Sequence, residues 1–281
     1  MHLLQILILA MVQGAAELLP VSSSAHVIVA EKLMRLDPTA PEMTLLLVML
    51  HTGTMFAVMV YFWKAWRETY FASMQTLRVR GWQLLVGTAA TGVVGLAVMQ
   101  AIKHAVARSD PAFQIEQLFG NARLMAASLA AAGVLILVAS RMDRSGGADI
   151  SVPSALWIGA VQGLCLPFRG FSRSGATIST GLALGVARRR AEEFSFALAV
   201  ILTPAAIARE AWRLYEAHSL APSAASGGLA GMVGPSLLGM LFSFAAGLVA
   251  LRWLSRWLEQ GRWYLFGIYC LLASCVVLVV G

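Results

Sequence analysis

The stretch Val12-Gln13-Gly14-Ala15-Ala16-Glu17-Leu18-Leu19-Pro20-Val21-Ser22-Ser23-Ser24-Ala25-His26 sets the terms for the whole chain. It continues an apolar run that begins at Leu3, and Glu17 and Pro20 interrupt that run before it is long enough to cross a membrane. A span of the hydrocarbon core needs about 20 apolar residues. Pro20 ends one half-helix, and a serine among Ser22–Ser24 is placed to cap the next. Non-helical backbone at membrane depth survives only where protein or a water-filled cavity covers it. Leu3–Leu36 therefore reads as a re-entrant helix–loop–helix hairpin.

The same pattern returns in the second half. Val161-Gln162-Gly163 repeats Val12-Gln13-Gly14, and Leu166-Pro167 and the turn Ser172-Arg173-Ser174-Gly175-Ala176-Thr177 follow it. Pro153–Val186 is the second hairpin. Three full spans follow each hairpin: Met43–Trp63, Gly81–Ile102 and Arg123–Ser140, then Glu192–Ala208, Val233–Leu251 and Trp263–Val280. An odd number of spans per repeat inverts the second copy. The expected fold is an all-α polytopic integral membrane protein, with six transmembrane helices and two re-entrant hairpins in two inverted repeats. The chain is then one membrane domain, 1–281, with repeats of about 1–142 and 150–281. Broken apolar segments at matching places in two such halves point to a site at the repeat interface.

Composition agrees. Of 281 residues, 59% are hydrophobic and 12% charged, and the mean hydropathy is +0.75. A soluble domain carries about 25% charged residues, so an ordinary cytosolic enzyme and a disordered tail are both excluded. Length alone would allow about eight or nine spans; the two broken segments lower the count to six. The net charge of +7 fits basic cytoplasmic loops better than nucleic-acid binding, because no basic stripe alternates with aromatics. Twelve Lys and Arg, among them Lys64, Arg80, Arg144 and Arg188-Arg189-Arg190, lie on the side where the first full span ends. Seven, among them Lys32, Arg35, Arg108 and Arg213, lie on the other, and Arg169 and Arg173 complete the 21. The richer side is expected to be cytoplasmic, which puts both termini and the mouth of the first hairpin outside. Trp63, Trp66, Trp253, Trp257 and Trp263 flank the basic loops as interfacial anchors. Cys165, Cys270 and Cys275 sit in apolar stretches and read as buried hydrophobes rather than ligands. No basic residue precedes the Leu3–Ala16 run, so a cleaved signal peptide is not expected.

Ionisable residues inside a membrane are expensive and mark function. Glu17 ends an apolar half-helix and shares a face with Gln13, four residues earlier. Ser23 and His26, three apart, suit a nucleophile and its proton-transfer partner. Free amides at a helix start make an anion site. The second hairpin offers hydroxyls at Ser172, Ser174 and Thr177 around Arg173, whose planar fork suits phosphate. His51 lies in an otherwise uncharged span and is either a contact behind Glu17 or a core histidine. One carboxylate, one histidine, an arginine and several hydroxyls at two helix N-termini fit a phosphorylated lipid head group better than a metal centre or a cation path. That sum leaves hydrolysis and transport both open. Inverted repeats with broken helices are also transporter architecture, so a polyprenyl-phosphate transporter or flippase is the alternative reading. The phosphatidic-acid phosphatase pattern is absent: Ser179 stands where it needs a histidine, and no Lys-x6-Arg-Pro occurs.

At these residues the chain resembles the bacterial undecaprenyl-diphosphate phosphatases of the bacitracin-resistance type. Gln13-x-x-x-Glu17 with Leu19-Pro20-Val21-Ser22-Ser23-Ser24-Ala25-His26 matches one signature, and Gly170-Phe171-Ser172-Arg173-Ser174-Gly175-Ala176-Thr177 matches the other. His51-Thr52-Gly53-Thr54 and Glu193-Phe194-Ser195-Phe196 agree as lesser blocks. The resemblance implies hydrolysis of undecaprenyl diphosphate to the monophosphate at the outer face of the bacterial plasma membrane, recycling the lipid carrier for cell-wall synthesis. It also implies inverted repeats with re-entrant hairpins and a divalent cation, Mg²⁺ or Ca²⁺. The implied active-site residues are Glu17, Ser23, His26, Ser172, Arg173 and Thr177, with Glu17 either a ligand of the divalent cation or a base. Two departures stand out: Gln13 replaces a frequent Glu, and Phe168 and Arg169 come between Pro167 and Gly170. Arg169 is thereby a candidate extra contact to the distal phosphate. The oligomeric state is left open, with a homodimer as the candidate.

Overall fold

The computed structural model describes residues 2–37, 41–107, 118, 121–143, 147–220 and 228–280. The described residues are all-α, in the order α1 (Leu3–Leu18), α2 (Ser23–Leu33), α3 (Pro41–Tyr70), α4 (Met74–Ala107), α5 (Ala122–Met142), α6 (Val152–Cys165), α7 (Arg173–Ala183), α8 (Arg188–Leu220), α9 (Gly228–Glu259) and α10 (Tyr264–Val280). Five of them, α3, α4, α5, α8 and α9, hold stretches of 21 to 33 residues long and apolar enough to cross a membrane. The chain is a polytopic membrane protein. The segment expected as the sixth span forms α10, an apolar helix of 17 residues that is shorter than these five. Arg108, Arg144 and most of the loop expected before Val233 lie outside the described residues, as does the Arg213 side chain.

Both expected hairpins appear as pairs of short helices. α1 has 16 residues and α2 has 11; α6 has 14 and α7 has 11. Each starts and stops for local reasons. The His2 amide donates to the Gln5 side chain at 2.9 Å to open α1. Leu19 then turns extended before Pro20, whose ring cannot continue the helix. Ser151 caps α6 by accepting from the Ser154 amide at 3.2 Å, with Pro153 in the first turn where no donor is missed. Ser172 caps α7 by accepting from the Gly175 amide at 3.2 Å.

Small residues let these short helices approach the long ones. α1 packs on α9 and α6 packs on α4. A Cβ on Gly14 would lie 2.6 Å from the Ser243 carbonyl of α9, and one on Gly163 would lie 2.7 Å from the Thr91 carbonyl of α4. The two Gln-Gly copies thus perform the same packing task in the two halves. At Gly159 the approach is closer still: a Cβ would overlap the Gly87 backbone. α5 packs on α10, and α3 on α8, where Phe62 stacks on Phe196 at 5.3 Å and Trp66 donates to the Glu193 carbonyl at 3.1 Å.

Charge gathers at one end. Arg80 pairs bidentately with Asp149, Arg188 donates to Asp143 at 2.6 Å, and Arg189 and Arg190 each donate to the buried Glu193 at 2.9 Å. Asp149 lies in the loop before α6. Its partial burial pushes the carboxyl up, but the Arg80 hydrogen bonds, the Ile150 amide and the Arg80 and Arg190 charges outweigh that and hold it below its usual range. Cys165 and Cys270 are buried as expected, while Cys275 stands exposed on α10.

Candidate active site

The site forms where the tips of the two hairpins meet. The Ser174 hydroxyl at the start of α7 donates to the Leu19 carbonyl at 3.2 Å, and the Cys270 thiol of α10 reaches the Pro20 carbonyl at 3.1 Å. These bonds fix the first turn against α7 and α10.

Glu17 is the hub. Arg173 donates to its Oε1 at 2.9 Å, Ser23 donates to its Oε2 at 2.5 Å, and Gln13 donates to Oε2 at 3.3 Å. His51 stands behind it, with Nε2 3.8 Å from Oε2 and Nδ1 donating to the Leu47 carbonyl at 2.8 Å. The choice that the sequence left open for His51 thus falls to a contact with Glu17. Glu17 and Arg173 are each about one-fifth exposed, 19% and 23% at the side chain, so the pair opens onto the surface rather than being sealed in. Arg173 keeps its buried Nη1 without an acceptor among the described residues. A guanidinium that spends one nitrogen on Glu17 and leaves the other unsatisfied has donors to offer an anion.

Ser22 shapes the turn. It occupies the N-cap position of α2, but its hydroxyl makes no capping bond, and its φ of 66° is one that residues with a side chain seldom adopt. The expectation of a capping serine is met in position and not in bonding. The consequence is that the first amides of α2 have no side-chain acceptor, which suits an anion.

His26 lies elsewhere than the sequence placed it. Its Nδ1 is 2.8 Å from the Ser22 carbonyl and its Nε2 is 2.6 Å from the Tyr269 hydroxyl, with the two rings stacked at 5.6 Å. A carbonyl only accepts, so Nδ1 carries the proton and Nε2 accepts from Tyr269. Ser23 therefore pairs with Glu17 and not with His26. The other hydroxyls also have protein partners. Thr177 is fully buried, donates to the Arg173 carbonyl at 2.8 Å and takes the Ser195 hydroxyl at 2.6 Å. Ser172 and Ser174 are spent on the cap and on Leu19. These three shape the turn that carries Arg173. Arg169 sits exposed in that turn, just before Gly170, whose φ of 106° requires glycine.

Tyr269 and Ser195 were not singled out in the sequence. Ser195 lay within a recognised block, and Tyr269 was a polar-tipped ring in an apolar span, the type of residue whose hydroxyl seeks a partner. Among the described residues, no three His, Cys, Asp or Glu side chains converge to hold a metal ion. Glu17 offers one carboxylate with both oxygens engaged, so the residues present do not fit a preformed cation cage.

The chain was compared with known proteins. The family model described as bacitracin resistance protein BacA matches residues 6–276. Undecaprenyl-diphosphatase 2 of Acinetobacter baylyi is 62% identical over 278 residues, 99% of this chain and 98% of that one. Undecaprenyl-diphosphatase 1 of Burkholderia pseudomallei and undecaprenyl-diphosphatase 2 of Burkholderia lata are each 32% identical over 289 positions, 98% of this chain and 95% of theirs. With two hairpin motifs in register and a match that runs almost end to end, this chain belongs to the BacA bacitracin-resistance family.

Proposed function

We propose that this membrane enzyme hydrolyses undecaprenyl diphosphate to the monophosphate and inorganic phosphate. The observation that carries the reading is the Glu17 carboxylate bonded at once to a serine hydroxyl and to a guanidinium with a spare donor. The family relationship supplies the substrate.

Ser23 attacks the terminal phosphorus. Its Oγ–P bond forms as the bridging P–O bond breaks and the lipid monophosphate leaves. The Ser23 proton passes along the 2.5 Å bond to Glu17. Arg173 and the open amides of α2 hold the equatorial oxygens, where positive groups lower the barrier most. Water then attacks the phosphoserine and leaves its proton on a phosphate oxygen, Glu17 returns the proton it took to the Ser23 Oγ as the Oγ–P bond breaks, and phosphate departs. His26, held by Ser22 and Tyr269, lies one turn along α2 and serves proton traffic at the mouth. Ser172, Ser174 and Thr177 shape the phosphate turn, Gln13 and His51 orient Glu17, and Arg169 is a further phosphate contact. Trapping a phosphate ester on Ser23 from labelled substrate tests the covalent step; full activity in Ser23→Ala overturns it.

The same reading covers the architecture. α1–α2 and α6–α7 are re-entrant hairpins, α10 is the sixth span, and 1–142 and 150–281 are inverted repeats. The like packing of α1 on α9 and α6 on α4 supports this. The mouth faces outward because the basic loops gather at the opposite end. The Mg²⁺ or Ca²⁺ expected from the resemblance finds no cage among the described residues, and no step is routed through it. A hard cation of this kind binds through substrate phosphates with one or two carboxylates. Calorimetric titration of the substrate-free enzyme with Mg²⁺ should accordingly show no tight site.

A further inference from the structure

The turn that aims Ser23 is held by its carbonyls, and α10 reaches it at two neighbouring residues. The Cys270 thiol donates to the Pro20 carbonyl at 3.1 Å. Tyr269 acts one step further off. Its hydroxyl donates to the His26 Nε2 at 2.6 Å, and the His26 Nδ1–H donates to the Ser22 carbonyl at 2.8 Å. Ser22 is the residue with a φ of 66°, a backbone conformation that persists only where its surroundings impose it. The next residue is Ser23, whose hydroxyl donates to Glu17 at 2.5 Å. A continuous line of contacts thus runs from α10, through His26 and the Ser22 carbonyl, to the turn that presents the Ser23 hydroxyl.

The direction of each bond matters. With its proton on Nδ1, the His26 ring donates to the carbonyl and accepts from the phenol. Were the proton on Nε2, the Nδ1 lone pair would face the carbonyl oxygen, and two acceptors repel. The Tyr269 hydroxyl therefore selects the tautomer that holds the turn, as a partner on one ring nitrogen sets the role of the other. The two rings also stack, with centroids 5.6 Å apart and planes 13° from parallel, so removing the phenol oxygen alone separates the hydrogen bond from the packing. We propose that Tyr269 is a positioning residue for Ser23: it locks His26 in the Nδ1–H form, and His26 in turn holds the Ser22 turn that aims Ser23 at Glu17. This rests on the reading of Ser23 as the nucleophile. Tyr269 acts through His26 and not on the phosphate.

The test uses the full chain in detergent, with undecaprenyl diphosphate as substrate. Tyr269→Phe should lower kcat about tenfold, because a small misplacement of a reacting group is costly, and should leave KM within about twofold of wild type. Nitrogen-15 spectra of histidine-labelled protein should show His26 as the Nδ1–H tautomer in wild type and as a mixture in Tyr269→Phe; the His26→Asn variant identifies the signal. In the His26→Asn background, Tyr269→Phe should cost nothing further, since the two act as one unit. Fluorotyrosine at position 269 keeps the donor and should keep kcat near wild type. An unchanged kcat and tautomer in Tyr269→Phe, a full additional loss in the His26→Asn background, or a raised KM with kcat unmoved each overturns the role of Tyr269. Full activity in Ser23→Ala sinks instead the nucleophile reading on which it rests.

Discussion

A carboxylate between a serine hydroxyl and a guanidinium can accept a proton from the first while the second stands beside its charge. That double contact makes Glu17 more exacting than a lone buried acid. Glu17→Gln keeps the shape but cannot take the proton, so kcat should fall about 10²–10⁴-fold, the usual worth of a positioned base. Initial rates of phosphate release check this. Arg173→Lys keeps the charge but loses the fork that spans Glu17 and the substrate; its kcat/KM should fall by about 10² or more. At residue scale the sequence was informative about identity and poor about partners. Glu17 and Arg173 stood out because charge is scarce inside a membrane. The Ser23–Glu17 bond did not, because it depends on the turn at Ser22, whose positive φ no serine advertises. The pairing of His26 with Tyr269 spans 243 positions and leaves no local signal at all.

At the scale of elements, the short broken helices were plain in the sequence, since Pro20 and the Ser-rich turns interrupt apolar runs. The ends of the long helices were not. The expected span Met43–Trp63 sits inside a helix that runs from Pro41 to Tyr70, and Gly81–Ile102 inside one from Met74 to Ala107. Hydropathy marks where lipid ends, while Lys, Arg and Glu carry a helix onward into the headgroups without penalty. Between elements, the contact of Gly159 with Gly87 leaves no room for a side chain. Gly159→Val should destabilise by about 1–3 kcal/mol or more, visible as a lower Tm in detergent. Asp149 staples its loop to α4 through Arg80. Its folded carboxyl titrates below the unfolded value of about 3.9. The stabilisation is therefore complete above that value and lost as pH falls through the lower folded one. Asp149→Asn should flatten this acid limb in Tm measured against pH.

For the whole molecule, the sequence suggested a two-fold plan, and the proposed inverted repeats would account for the like packing of the two Gln-Gly helices. Orientation is the remaining global property, and loop charge decides it. In a background with Cys275 replaced, a cysteine introduced at Arg35 should react with a membrane-impermeant thiol reagent in intact cells, and one at Arg78 should not. The reverse pattern would turn the molecule over and put the mouth inside.

The ion pair across the hairpin tips also bears on how the protein is made. Its two members are 156 residues apart, so for more than half of synthesis Glu17 has no arginine. An unpaired carboxylate resists burial in hydrocarbon, so a first hairpin that is re-entrant, as proposed, would wait near the headgroups until α7 emerges. On that proposal biogenesis and catalysis would share one trigger: the bond that draws the first hairpin to its final depth would be the bond that primes Glu17. A nascent chain halted before α6 should leave Ser23 open to water-borne labels, and release of the full chain should close it.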